Sequence, residues 1–143
     1  MQAKEFMTRN PVVVRPDASL REAAQRMRDL DSGVLPICDG DRLVGMLTDR
    51  DVTVRAIAEG KDPNATAVRE VMSSDVVYCF EDEDETVAAS KMEQHQLRRL
   101  AVLNRDKRLV GMLSLGDLAV HTTDDQITGA VTEAVSEPSS AEV

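Results

Sequence analysis

Apolar and polar positions along the chain fall into short blocks with two different rhythms. Pro11-Val12-Val13-Val14 and Val76-Val77-Tyr78 are compact β-branched runs, and each predicts a strand. An acidic turn follows, and Ser19-Leu20-Arg21-Glu22 has the form of a capping box opening a helix. Leu20, Ala23, Ala24, Met27 and Leu30 then recur at helical spacing and predict one apolar face. Val34-Leu35-Pro36-Ile37-Cys38 reads as a strand, Asp39-Gly40-Asp41 as a polar turn, and residues 42–47 as the returning arm of a hairpin. A second helix begins near Thr48 and runs toward Glu59, where Gly60 and Pro63 stop it. Ala3-Lys4-Glu5-Phe6-Met7 and Thr66-Ala67-Val68-Arg69-Glu70-Val71-Met72 each predict a short lead-in helix.

The blocks occur twice. Met7-Thr8 returns as Met72-Ser73, and the same shift pairs Val12 with Val77, Asp17 with Asp82, Ala23-Ala24 with Ala88-Ala89, Met27 with Met92 and Leu35 with Leu100. After one inserted residue near Lys107, Leu43-Val44-Gly45-Met46-Leu47 is repeated letter for letter as Leu109-Val110-Gly111-Met112-Leu113. Shared letters in the same order over so long a stretch mean two copies of one unit. The fold class is therefore α+β: two β-α-β-β-α repeats, 1–63 and 64–126, expected to pack about a pseudo-twofold axis because a unit this small is marginal alone. Residues 127–143 lose the periodicity and are expected to be a partly disordered C-terminal tail.

Charge narrows the function. The chain of 143 residues carries 17 Lys+Arg against 26 Asp+Glu, a net charge of -9, which disfavours nucleic acid as a partner because backbone binding needs clustered cations. Aromatic residues are 2% of the chain, with no Trp, so a groove that stacks bases on rings is hard to build. The N-terminal MQAKEFMTRNP lacks the apolar run of a signal peptide, and no stretch approaches a membrane span. The expected location is the cytoplasm, with no membrane partner. Two cysteines, Cys38 and Cys79, make no disulfide framework and no zinc-ligand pair, so no metal is expected. Neither His95 nor His121 stands in a nucleophile–base pattern, and no enzymatic activity or catalytic cofactor is expected.

The doubled motif carries the chemistry. Gly45-Met46-Leu47-Thr48-Asp49-Arg50-Asp51 and Gly111-Met112-Leu113-Ser114-Leu115-Gly116-Asp117 both have the form Gly-h-h-Thr/Ser-x-x-Asp, where h is apolar. Thr48 with Asp51, and Ser114 with Asp117, are complete capping boxes, and capping alone would account for them. The same positions suit a ligand: an ionised Asp offers two acceptor oxygens to a ribose diol, and the hydroxyl can bond a phosphate or ribose oxygen. Arg98-Arg99, just before the second repeat's strand, is the best source of positive charge for a phosphate, and Arg50 is a weaker one. The first repeat has Gly33-Val34 where the second has Arg98-Arg99, so a phosphate-bearing ligand is expected to prefer one site.

This doubled motif, with Val71-Met72-Ser73, Leu35-Pro36-Ile37 and His95-Gln96-Leu97-Arg98-Arg99-Leu100-Ala101-Val102, resembles the CBS domain in its tandem pair, or Bateman module. The resemblance spans about residues 1–125 and is to the stand-alone bacterial CBS-pair proteins, the hypoxic response protein type among them. It implies a non-enzymatic regulatory module that binds an adenosine nucleotide such as AMP, ADP or ATP in clefts between the repeats, and a homodimer with an unknown protein partner. It also implies that Asp51 and Asp117 hold ribose, that Thr48 and Ser114 lie near ribose or phosphate, and that Arg98 and Arg99 contact phosphates. The adenine would lie against Val12, Pro36 and Ile37, or against Val77, Ala101 and Val102, an aliphatic slot that needs no stacking ring. Ala101 replaces the proline that the first repeat has as Pro36, and Glu85 falls where Leu20 stands. The run Glu81-Asp82-Glu83-Asp84-Glu85 is expected to be a solvated turn. The rival reading is a ligand-free interaction or dimerisation module with a stress or redox role, the latter resting on Cys38 and Cys79.

Overall fold

The computed structural model describes residues 1–121 and 125–136, and in it each repeat is organised around its antiparallel hairpin. Two compact units result: Pro11–Val76, and Met1–Asn10 together with the chain from Val77 onward. These units do not coincide with the division at 63/64 expected from the repeat. The reason is a shift of the lead-in segments, each of which pairs with the hairpin of the other copy.

In the unit Pro11–Val76, a short strand pair carries the fold. Helix α1 is Leu20–Leu30, and its N-cap Ser19 accepts a hydrogen bond from the Glu22 amide at 3.1 Å. The helix ends at Asp31, which takes the left-handed conformation with φ 50°, while the Ser32 amide reaches back to the Met27 carbonyl at 3.0 Å. Leu20, Ala23 and Met27 are buried, whereas Ala24 and Leu30 are exposed, so the apolar face is narrower than the spacing predicts. Strands β2 (Val34–Asp39) and β3 (Arg42–Thr48) form the expected hairpin, with Gly40 at φ 65° in its turn. The strand predicted over 11–14 shrinks to one residue: Val14 bridges Ile37 in parallel, its amide on the Pro36 carbonyl and its carbonyl on the Cys38 amide. Pro11 has no amide to offer, and Val12 and Val13 face solvent.

The second helix starts as α2 (Asp49–Asp51) and widens into a π turn over Val52–Ile57, where the Ala58 amide bonds the Thr53 carbonyl and the Lys61 amide the Ala56 carbonyl, both at 2.9 Å. A 3-10 turn at Val68–Glu70 leads to Ser73, which pairs antiparallel with Met46 of β3. That crossing explains the motif glycine. A Cβ on Gly45 would stand 2.9 Å from the Ser73 carbonyl and 2.5 Å from the Met72 sulfur, so only glycine lets this backbone pass. Leu20, Leu35, Ile37, Leu47, Val68 and Val71 close the core behind it. Each such buried side chain contributes roughly 1.5–3 kcal/mol relative to exposure.

The other unit repeats the plan and extends it. A 3-10 turn at Ala3–Glu5 leads to β1 (Thr8–Arg9), which pairs antiparallel with β6 (Leu109–Ser114). β5 (Arg99–Leu103) pairs antiparallel with β6 and parallel with β4 (Tyr78–Phe80), giving a four-stranded sheet in the order β1-β6-β5-β4. Helix α3 (Glu85–His95) is capped by Asp84 and ends at Gln96 with φ 54°, the same left-handed stop as Asp31. Ala88, Ala89 and Met92 are its buried residues. The acidic run is a turn, but Glu85 is not solvated like its neighbours: its side chain is 19% exposed.

Helix α4 is Leu115–His121 and α5 is Asp125–Ser136. The second of these corrects the expected tail, which is helical through Ser136. Val131 is fully buried in the core with Met92, Leu100, Leu113 and Leu118, and Gln96 donates its side-chain amide to the Ala134 carbonyl at 3.1 Å. Burial of Val131, with Val135 packed beside it, supplies the tertiary contact that a weakly periodic segment needs to hold a helix. Residues 137–143, the remainder of that tail, lie outside the described residues.

Candidate functional site

The β6–α4 junction sets the site of the second repeat. Its capping box is closed both ways: Ser114 Oγ accepts from the Asp117 amide at 3.0 Å, and Asp117 Oδ2 accepts from the Ser114 amide at 2.8 Å. Across the sheet Arg99 is paired with Ser114, and the Leu115 amide donates to the Arg98 carbonyl at 2.8 Å. A cavity of about 510 Å³ opens there, lined by Arg98, Arg99, Ser114, Leu115, Gly116, Ala119 and Thr132. Both arginines are exposed, and among the described residues neither guanidinium has a carboxylate partner. Two unpaired guanidinium groups beside a hydroxyl are an arrangement that holds phosphate or carboxylate oxygens by charge-assisted hydrogen bonds.

The first repeat has the same backbone and different chemistry. Thr48 Oγ1 accepts from the Asp51 amide at 3.1 Å and Asp51 Oδ2 from the Thr48 amide at 3.0 Å, while the Asp49 amide donates to the Gly33 carbonyl at 2.9 Å. Here the remaining oxygen of Asp51 faces Arg55, with Nε 3.8 Å from Oδ1. Asp49 lies against Gly33 and accepts from the Arg50 amide at 2.9 Å. Arg50 itself is exposed on the helix.

Most of the apolar residues expected beside a base are buried. The side chains of Ile37 and Val102 are wholly inside the two cores, and Pro36 and Ala101 are buried in their strands. Val77 is half-buried, and Val12 is 41% exposed. The second-repeat cavity thus brings together Arg98, Arg99 and Ser114; Asp117 is hydrogen-bonded to Ser114 but is not among the lining residues, and neither are Val77, Ala101 and Val102. Four lining residues were not singled out by the sequence reading: Leu115, Gly116, Ala119 and Thr132. The first three stand within or just beyond the motif. Thr132 comes from α5, whose signal was the 3–4 spacing of Ala130, Val131, Ala134 and Val135.

Both cysteines are buried, and burial pushes each thiol up to about 11, with Asp41 adding to the effect at Cys38 and Glu83 at Cys79. Neither has the lowered pKa of a reactive thiolate. Among the described residues no three His, Cys, Asp or Glu side chains gather as a metal site, and no helix is long and apolar enough to cross a membrane.

Comparison with known proteins places this geometry among relatives. Residues 3–56 and 68–124 match the model of the CBS domain. The chain is 38% identical over 127 residues to the CBS domain-containing protein YhcV of Bacillus subtilis, covering 89% of each chain. It is also 38% identical over 126 residues to Hypoxic response protein 1 of Mycobacterium tuberculosis, covering 87% of each. The crystal structure of Hypoxic Response Protein I with two coordinated zinc ions superposes with a TM-score of 0.79 over 85% of this chain and 99% of that one. The CBS domain protein PAE2072 from Pyrobaculum aerophilum, complexed with AMP, superposes with a TM-score of 0.76 at 26% identity, covering 93% of this chain and 99% of that one.

Proposed function

Because the chain belongs to the CBS domain family, we propose that it is a non-catalytic regulatory module that binds an adenosine-containing ligand, AMP, ADP, ATP or a related nucleotide, in the cytoplasm. The observation that carries this reading is the pair of unpartnered guanidinium groups, Arg98 and Arg99, on one cavity with Ser114 in a protein of net charge -9. Ser114 and the arginines take the phosphate, and Asp117 takes the ribose hydroxyls through the oxygen not used on the Ser114 amide. The cavity is large enough for a nucleotide, since small-molecule sites run to about 300–1,000 Å³. The AMP complex of PAE2072 supports the ligand class. A ligand of this kind regulates only by its differential affinity for two arrangements of the module.

Calorimetric titration with AMP, ADP and ATP tests the reading. Binding below millimolar, weakened by about 1–3 kcal/mol in Asp117→Ala, is the expected result. No binding of any of the three overturns it.

A second reading has its own observation. Val54 and Val120 hold equivalent positions in the two repeats and are 47% and 78% exposed, with Ile57 beside the first at 57%. Exposed apolar residues repeated on equivalent helices favour self-association into a homodimer. Light scattering at micromolar concentration decides this: a dimer mass supports it and a monomer mass removes it. The burial of both thiols speaks against a redox variant of this reading.

A further inference from the structure

The two motif junctions share a backbone and differ in one apposition that the chain uses for selectivity. Resting on the nucleotide reading above, we propose that Asp49 bars phosphate from the first repeat, so that the protein has a single phosphate-accepting site, the one built by Arg98, Arg99 and Ser114.

The equivalence of the positions is geometric. Asp49 donates its amide to the Gly33 carbonyl as Leu115 does to the Arg98 carbonyl. In the second repeat, the residue on that carbonyl carries a guanidinium and the facing residue is an uncharged leucine. In the first, the residue on the carbonyl has no side chain, and the space belongs to a carboxylate. A Cβ on Gly33 would meet Asp49 Oδ2 at 2.7 Å, Cγ at 3.0 Å and Oδ1 at 3.1 Å, so Asp49 lies flat on this glycine. Asp49 Oδ1 also takes the Arg50 amide at 2.9 Å, and Thr48 Oγ1 takes the Asp51 amide. The Thr48–Asp51 contact has its equivalent in Ser114–Asp117, so what sets the first repeat apart is the Arg50 amide, already engaged by a negative charge. Arg55, four residues beyond Asp51, is drawn to that carboxylate at 3.8 Å, and Arg50 is exposed on the helix. A phosphate entering here meets like charge at contact distance, where repulsion is strong at the effective dielectric of a protein surface.

The same atoms define how to reverse the selectivity. The three atoms nearest the position of a Gly33 Cβ all belong to Asp49, and Gly33 is not in the left-handed region. The second repeat already seats Arg98 against Leu115 on this backbone, so replacing the carboxylate by leucine gives an arginine at 33 the neighbour that Arg98 has.

AMP titration by calorimetry is the test, with stoichiometry as the readout and circular dichroism as the check of folding. Wild type is expected to bind one AMP per chain, and the double variant Gly33→Arg with Asp49→Leu, which installs the second repeat's residues, is expected to bind two. In the second repeat, Leu115→Asp is expected to weaken AMP at least about tenfold relative to Leu115→Asn, a control that alters packing equally without charge. Two AMP per chain in wild type, one in the folded double variant, or equal affinity in Leu115→Asp and Leu115→Asn overturns the proposal while leaving the nucleotide reading intact. Absence of nucleotide binding in wild type overturns the nucleotide reading itself.

Discussion

Arg105 closes on Asp82 with two prongs, Nη2 2.8 Å from Oδ1 and Nε 3.0 Å from Oδ2, while its guanidinium carbon lies 4.1 Å from the centre of the Phe80 ring. The pair spans the acidic turn and the β5–β6 turn, and it holds the Asp82 carboxyl below its usual range, chiefly through the hydrogen bond from Arg105. Asp84 is held lower, at about 2, chiefly by hydrogen bonds from the Thr86 hydroxyl and amide, with the Met1 amine adding to them. A carboxylate depressed in the folded state contributes stability above its unfolded pKa, about 3.9, and loses it as pH falls toward the folded value. Thermal melts are therefore expected to show stability declining between about pH 4 and pH 2. Asp84→Asn should flatten part of that decline, and a variant curve parallel to wild type would show that Asp84 is not its source.

Glu85 is the misfit of the second repeat. Its Oε2 is buried with no hydrogen-bond partner among the described residues, and Leu20 at the equivalent position is 1% exposed in the first core. Glu85→Leu removes a poorly satisfied acid and adds apolar burial. The expected gain is about 1 kcal/mol, read as a rise of a few degrees in Tm. A fall in Tm would mean that the 3.9 Å approach of the Met1 amine to Glu85 Oε1 outweighs both terms.

Two glycines of the second motif should respond in opposite directions. A Cβ on Gly111 would stand 2.9 Å from the Thr8 carbonyl and also collide with the Met7 side chain, whereas one on Gly116 would come no nearer than 3.6 Å, to Ser114 Oγ. Gly111→Ala is expected to cost about 1–3 kcal/mol by overpacking. Gly116→Ala, inside α4, should be neutral or stabilise by up to about 1 kcal/mol. Urea titrations of both variants measure the contrast, and equal effects would show that the close crossing of Met7-Thr8 is not what requires glycine.

Cys38 and Cys79 should be silent to a thiol reagent at pH 8 in the native protein and reactive once it is unfolded. Both are buried and both have thiols raised to about 11. Because the folded values are raised, their contribution to stability is complete below about pH 8.5 and is lost as pH climbs toward 11. Rapid native labelling at either cysteine would show that its site opens without unfolding.

Features carried by neighbouring residues were legible in the sequence. Ser19 with Glu22, Thr48 with Asp51 and Ser114 with Asp117 are spaced for capping contacts, and the hairpin around Asp39-Gly40-Asp41 follows from turn chemistry. Features that depend on distant pairing were not. Nothing in Pro11-Val12-Val13-Val14 reports that only Val14 finds a partner, on Pro36 and Cys38. Nothing in Met7-Thr8 announces that its pairing strand lies beside Met112 and Gly111 rather than in the nearer hairpin. Arg98 and Arg99 stood out as a basic pair in an acidic chain, but Thr132 reaches the same cavity through the packing of α5, and Asp49 on Gly33 through the apposition of two backbones.

The shifted lead-in segments give the chain a nested connectivity. Residues 11–76 leave one unit at Asn10, which turns through the left-handed region with φ 50°, and rejoin it at Val77. Topologically, one unit is an insertion held at both ends by the other. Once the outer unit is folded, the inner segment is a closed loop rather than a free chain, and its unfolded state has fewer conformations to lose. The outer unit must in turn close across the whole inner segment before β1 can meet β6. Each half thereby sets the entropy of the other's folding through the covalent path alone, so cutting the chain at the repeat boundary would free two ends and leave each hairpin without the strand that crosses its glycine.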